Sequence, residues 1–157
     1  MKQIPLNKNK VALIDDEDFE EINRHKWCVG SDGYPRRKVI IGGKQQAVFM
    51  HRFLMGLVRG DGKEVDHING NILDNQRKNL RVCSHHQNLI NKKLQRNNTS
   101  GVRGVSWNKR KEMWQVYIVL NRKKIDLGYF DDLVLAAKRY NQEAKEMFGE
   151  FAKLNSL

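Results

Sequence analysis

The stretch Arg96-Asn97-Asn98-Thr99-Ser100-Gly101 constrains this chain most, because it is polar and poor in residues that build a core. It sits past the middle of a chain of 157 residues, a normal length for one domain or for two small ones sharing few contacts. The sequence therefore reads as two units, residues 1–96 and 102–157, with a linker at 97–101. At 39% hydrophobic residues each unit can form a core, though a thin one.

The first unit reads as short strands around helices. Val11–Ile14 is apolar, and the following Asp15-Asp16-Glu17-Asp18 suits a helix N-terminus, predicting a helix to about His25 that buries Phe19 and Ile22. Trp27–Gly30, Tyr34–Ile41 and Gln46–Phe49 read as strands, with turns at Ser31-Asp32-Gly33 and Gly42-Gly43. Met50–Val58 is expected to be a short helix and Arg59–Gly62 a loop. Glu64–Arg81 is expected to form a hairpin centred on Ile68-Asn69-Gly70-Asn71, because Asn and Gly tolerate positive φ. Ser84 can cap a helix reaching about Leu94, with Leu89 and Ile90 facing inward.

The second unit is more regular. Trp114–Leu120 alternates, with Trp114, Val116, Ile118 and Leu120 on one face and Gln115, Tyr117 and Val119 on the other. Gly101–Trp107 and Lys123–Leu127 complete a predicted three-stranded sheet. Asp131–Phe148 follows as a helix, with Asp131 at its N-cap and Gly149 ending it. Ala136, Ala137, Tyr140, Ala144 and Phe148 recur at helical spacing, which is a packing stripe. The fold class is α+β.

Charge is segregated. Between Asn75 and Ile125 stand thirteen lysines and arginines against Glu112 alone, while the rest of the chain carries sixteen basic and seventeen acidic residues. One contiguous third thus holds the whole excess of +11. Such a stretch is either a solvated surface or a polyanion-binding one, and the segregation favours nucleic acid. Cys28 and Cys83 form no C-x-x-C pair and suit a reducing compartment. With a polar N-terminus and no apolar run near the roughly 18 residues of a membrane span, the expectation is a soluble intracellular protein.

Phosphodiester cleavage needs a base to activate water and a cation to neutralise the scissile phosphate. The dipeptide Asp66-His67 supplies the protein side of both. On extended backbone the two side chains diverge, so Asp66 can face a metal while His67 faces the attacking water. A hard cation such as Mg²⁺ needs one or two protein oxygens. Asn88, one turn into the helix after the hairpin, is well placed to be the second. The ordinary imidazole pKa near 6.5 lets His67 accept a proton near neutrality.

The blocks V-D-H-I-N-G-N, D-N-Q-R-K-N-L-R and H-H-Q-N-L-I-N stand in order around this pair. Together they resemble the HNH endonucleases of the phage and intron-encoded homing type, over roughly Val11 to Arg96. The resemblance implies a ββα-metal core at about 63–95. It also implies a divalent cation, Mg²⁺ or alternatively Mn²⁺, on Asp66 and Asn88, with His67 as general base. Asn79 would bond across the loop and hold the imidazole. M-H-R-F-L-M resembles the segment preceding the motif and makes His51 and Arg52 secondary DNA-binding candidates, though His51 serves equally well as a packed residue. Arg77, Lys78, Arg81, Lys92 and Lys93 are placed to grip phosphates. Cys83 with His85, His86 and His67 lacks the paired spacing of a structural zinc site.

S-G-V-R-G-V-S-W, W-Q-V-Y-I, I-D-L-G-Y-F-D and A-A-K-R-Y-N resemble an ethylene-response-factor type DNA-binding domain, which implies a three-stranded sheet on one helix that reads the major groove. Ser106 stands where that family has Arg, and Asp126 where Trp is usual, so its target sequence does not transfer. Arg103, Lys109, Arg110, Lys111, Tyr117, Arg122 and Lys124 are the contact candidates, and a sheet that touches only phosphate remains the alternative. The expected partner is double-stranded DNA, with no membrane and no obligate protein partner. The chain is expected to act as a monomer, in host cytoplasm if phage- or intron-encoded. A non-catalytic, sequence-specific DNA-binding regulator on a nuclease scaffold is the rival reading. An RNA-binding protein is a weaker one, for want of basic residues interleaved with stacking aromatics.

Overall fold

The computed structural model describes residues 1–90, 94, 97–120 and 123–157. They form two compact units, Met1–Asn88 and Leu89–Leu157.

In the first unit, β1 (Lys2–Pro5) and β2 (Val11–Ile14) make an antiparallel hairpin. A three-stranded antiparallel sheet runs in the order β3 (Cys28–Val29), β4 (Pro35–Ile41), β5 (Lys44–Phe49). A second hairpin pairs β6 (Glu64–His67) with β7 (Leu80–Cys83). Three short helices accompany them: α1 (Phe19–Asn23), α2 (Met50–Leu54) and α3 (His85–Ile90). Ile4, Ala12, Ile14, Ile22, Trp27, Met50, Leu54, Val65 and Leu80 form one buried cluster. Truncating a fully buried member such as Ile14, Ile22 or Met50 to Ala is expected to cost about 2–5 kcal/mol.

Several local expectations are corrected. β1 was not anticipated, because Ile4 is its one buried apolar residue and Pro5 ends it. The acidic run makes a 3-10 turn at Asp16–Asp18 with no side-chain cap bond, and the helix after it stops at Asn23 rather than His25. α2 ends at Leu54 rather than Val58, since Gly56 takes a positive φ of 66°. The Asn69-Gly70 pair does not join β6 to β7 directly. His67 pairs with Leu80, so residues 68–79 form a long connection in which that pair makes one internal turn.

In the second unit, β8 (Val105–Asn108), β9 (Met113–Leu120) and β10 (Lys123–Phe130) form an antiparallel sheet ordered β10-β9-β8. Its inner face packs on α4 (Leu133–Phe148) through Val105, Val116, Ile118, Ala136, Tyr140 and Ala144. β10 runs three residues past the predicted Leu127, across a bulge between Asp126 and Gly128. The N-cap is Asp132, not Asp131: its Oδ1 accepts from Leu135 N at 2.7 Å. Gly104 has φ +68° and passes so close to Tyr140 that a Cβ would lie 2.2 Å from the ring. No helix among the described residues is long and apolar enough to cross a membrane.

Candidate active site on the second hairpin

The register of β6 opposite β7 sets the site. Asp66 faces Arg81 and His67 faces Leu80. Strand alternation puts Glu64 and Asp66 on one face of the hairpin and Val65 and His67 on the other. The Asp66 carboxylate accepts from Arg81 Nε at 2.9 Å and Nη2 at 2.7 Å, and both side chains are largely buried. This is a charge-assisted pair that fixes the carboxylate's orientation.

His67 is buried among rings. Its centroid lies 5.3 Å from His51 and 6.0 Å from Tyr34. Burial pushes its pKa below 6.5, partly offset by a hydrogen bond with Asn75 and by the charges of Asp66 and Asp74. His67 is thus held in the neutral, proton-accepting form at neutral pH. His51 is buried as well, and burial lowers its pKa to about 3 with smaller contributions from His67 and Arg52. Its Nδ1 has no hydrogen-bond partner among the described residues.

The connection 68–79 is held by polar groups rather than by a core. Asn79 accepts from Asn69 N at 3.0 Å and donates to Asp74 O at 2.7 Å, while Ile68 N donates to Asn79 O at 2.9 Å. Strand β2 reaches in from the side: Leu13 N donates to Leu73 O and Asn75 N to Leu13 O, both at 2.8 Å. The acidic run does its work here. Asp15 accepts from Arg77 N at 2.7 Å, and Asp18 accepts from Arg77 Nε at 3.0 Å and Nη2 at 2.7 Å. The carboxylates expected to cap their own helix instead tether the 3-10 turn Arg77–Asn79 of this loop.

α3 begins with a reciprocal cap. Gln87 N donates to Ser84 Oγ at 3.3 Å, and Ser84 N donates to Gln87 Oε1 at 2.8 Å. It buries none of its residues, and Leu89, expected inward, is 40% exposed. The helix is seated by Glu64 instead, which meets His85 Nδ1 at 2.6 Å and accepts from Asn88 Nδ2 at 2.5 Å. Beside it, burial and the nearby Asp66 and Glu64 push the Cys83 thiol up to about 11, so it stays protonated and is a poor metal ligand.

The remaining candidates fall into three groups. Arg52 is engaged inside the protein, donating to Lys63 O at 2.6 Å, to Val58 O and to Asp61 Oδ1 at 3.0 Å. Arg77 and Arg81 are tied to acids, whereas Lys78 is exposed. On the second unit Lys109, Arg110, Lys111 and Lys124 are exposed, and Arg103 and Tyr117 are half-buried. Lys124 Nζ lies 3.8 Å over the Tyr117 ring and Lys111 Nζ 3.5 Å over Tyr129. Lys92, Lys93 and Arg122 lie outside the described residues. Glu64, Asn75 and Tyr34 were missed from sequence. Only Glu64 carried a signal, standing two residues before Asp66 on the same strand face.

The family described as HNH endonuclease matches residues 48–90, from the end of β5 through α3. The chain is 34% identical over 155 residues to an uncharacterized HNH endonuclease of Acanthamoeba polyphaga mimivirus, across 96% of this chain and 77% of that protein. The chain belongs to the HNH endonuclease family. A second relative of this HNH chain, Protein 3.8 of Escherichia phage T7, is 36% identical over 92 residues, 59% of this chain and 75% of that protein. No solved structure matches it significantly.

Proposed function

We propose that this HNH chain is a metal-dependent DNA endonuclease of the homing type, hydrolysing phosphodiester bonds at the β6–β7 hairpin. His67 acts as general base: neutral at pH 7, it takes a proton from the attacking water. Asp66 and Asn88 hold a divalent cation, Mg²⁺ or alternatively Mn²⁺. When bound, that cation supplies charge neutralisation at the scissile phosphate and the leaving 3′-oxygen. Arg81 orients the Asp66 carboxylate, and Asn79 fixes the loop behind His67. The donor chemistry fits a hard cation: Asp66 and Asn88 both carry side-chain oxygens, Asp66 shares a strand face with Glu64, and Asn88 donates to Glu64 from α3. Among the described residues no group of three or more His, Cys, Asp or Glu is arranged to hold a metal unaided. That suits a cation whose shell is completed by water and phosphate.

The single observation that carries the reading is the arrangement of His67. It is buried and kept neutral in a wall of rings, one residue from an oriented carboxylate on the opposite strand face. Residues 102–157 serve, in this reading, as an ethylene-response-factor type DNA-binding module, joined through a linker at 97–101. What supports it is the three-stranded sheet on one helix, whose outer face carries Ser106, Gln115, Tyr117 and Lys124.

Nicking of supercoiled plasmid with Mg²⁺, and with EDTA in its place, tests the function. Nicking that depends on the cation is expected. Tight DNA binding with no nicking under any divalent cation would instead favour the regulator, in which the Asp66–Arg81 pair is purely structural.

A further inference from the structure

Glu64 has no part in the roles above, yet it grips the first turn of α3 with both carboxylate oxygens. Oε1 meets Nδ1 of His85 at 2.6 Å and Oε2 accepts from Nδ2 of Asn88 at 2.5 Å. His85 and Asn88 are three residues apart on the helix, so their side chains share a face. Glu64 in turn shares its strand face with Asp66, the other proposed oxygen donor.

The chemistry of that contact decides how Asn88 is turned. An ionised carboxylate only accepts hydrogen bonds. Asn88 must therefore present its NH₂ to Glu64, and its carbonyl oxygen points elsewhere. A hard cation takes an asparagine only through that oxygen. Asn88 is half-buried, and among the described residues Glu64 is the hydrogen-bond partner of its carboxamide, so Glu64 selects between its two orientations.

We propose that Glu64 is a positioning residue that locks the Asn88 carboxamide with its oxygen presented to the divalent cation. This rests on the reading of Asp66 and Asn88 given above. A residue that merely docked α3 would affect stability and leave cation affinity alone.

The test compares the full-length wild type with Glu64→Ala, Glu64→Gln, Asn88→Ala and the Glu64→Ala/Asn88→Ala double variant. Mn²⁺ affinity is measured by calorimetry without DNA, and plasmid nicking is titrated with Mn²⁺. Glu64→Ala is expected to weaken Mn²⁺ binding about tenfold, the usual effect of removing a partner of a metal ligand. The Mn²⁺ concentration for half-maximal nicking should rise in step, with most of the rate recovered at saturating Mn²⁺. Glu64→Gln, which offers both a donor and an acceptor and so tolerates either amide orientation, should fall between. The double variant should bind Mn²⁺ no more weakly than Asn88→Ala, because the two residues act as one unit.

Wild-type Mn²⁺ affinity in both Glu64 variants, or losses that add in the double variant, would overturn the proposal. If Glu64→Ala fails to fold, Glu64→Gln, which keeps the shape, decides alone. Failure of the nuclease reading looks different: the wild type would then not nick with any divalent cation, whatever stands at position 64.

Discussion

Both units have an apolar core, but the β6–β7 region of the first adds a second kind of support that the described residues of the second do without. Residues 97–157 form a sheet on a helix, with an apolar inner face and an outer face that carries Ser106, Gln115, Tyr117, Val119 and Lys124. The β6–β7 region instead buries Asp66, His67, Asn75, Asn79 and His51, and it is held by hydrogen bonds that reach back to Leu13, Asp15 and Asp18. A core built from apolar periodicity tolerates polar changes on its surface. A site built from buried polar groups is lost when any one partner goes, because the other is stranded without water. The same polar groups act on His67, where Asn75, Asp66 and Asp74 partly offset the lowering of its pKa by burial.

The largest effect on the second unit alone is expected at Gly104→Ala. Its Cβ would meet the Tyr140 ring at a positive φ, costing the second unit about 3 kcal/mol or more. Hydrogen exchange should assign that loss to residues 97–157 and leave the first unit's protection unchanged.

Acid should break the comparison in the other direction. All five histidines lie before Asn88. His51 has a folded pKa of about 3, far below its ordinary 6.5, so the unfolded chain binds the proton first and stability falls as pH drops below 6.5. His67 is shifted in the same direction. Between pH 6.5 and about 3 His51 should cost the first unit about 1.4 kcal/mol per pH unit, and His67 adds a loss of the same sign. The second unit should stay level until carboxylates titrate. Cleavage should rise with pH through a value below 6.5 and be flat near neutrality, because the base works only unprotonated.

Asn79→Ala removes a donor and an acceptor at once and leaves Asp74 O and Asn69 N without partners. We expect a loss of about 2 kcal/mol, seen as lower thermal stability of the first unit, and slower nicking. Asp132→Ala deletes the cap of α4 and should cost about 1 kcal/mol, read as a small drop in Tm with nicking unaltered.

Periodicity explains what was legible in the sequence. Trp114–Leu120 and the Ala136–Tyr140–Ala144 stripe announced the second unit, because sheet and helix there repeat with their own periods. The four residues Asp66, His67, Asn79 and Asn88 were visible as ordered motif blocks. The structural support behind them was not. Asp18 meets Arg77, and Leu13 meets Asn75, across some sixty residues of chain. Hydrogen bonds of that range, between side chains or between backbones, leave no periodic trace. Even the nearby Asp132 cap was misjudged by one residue, as both aspartates fit the local pattern.

The account stands most directly on His67→Ala, measured in parallel for plasmid nicking with Mg²⁺ and for DNA binding in EDTA. The prediction is a fall in nicking of about 10²–10⁴-fold, the range for losing a general base, with DNA affinity nearly intact. Nicking at the wild-type rate would contradict it and remove His67 from the mechanism.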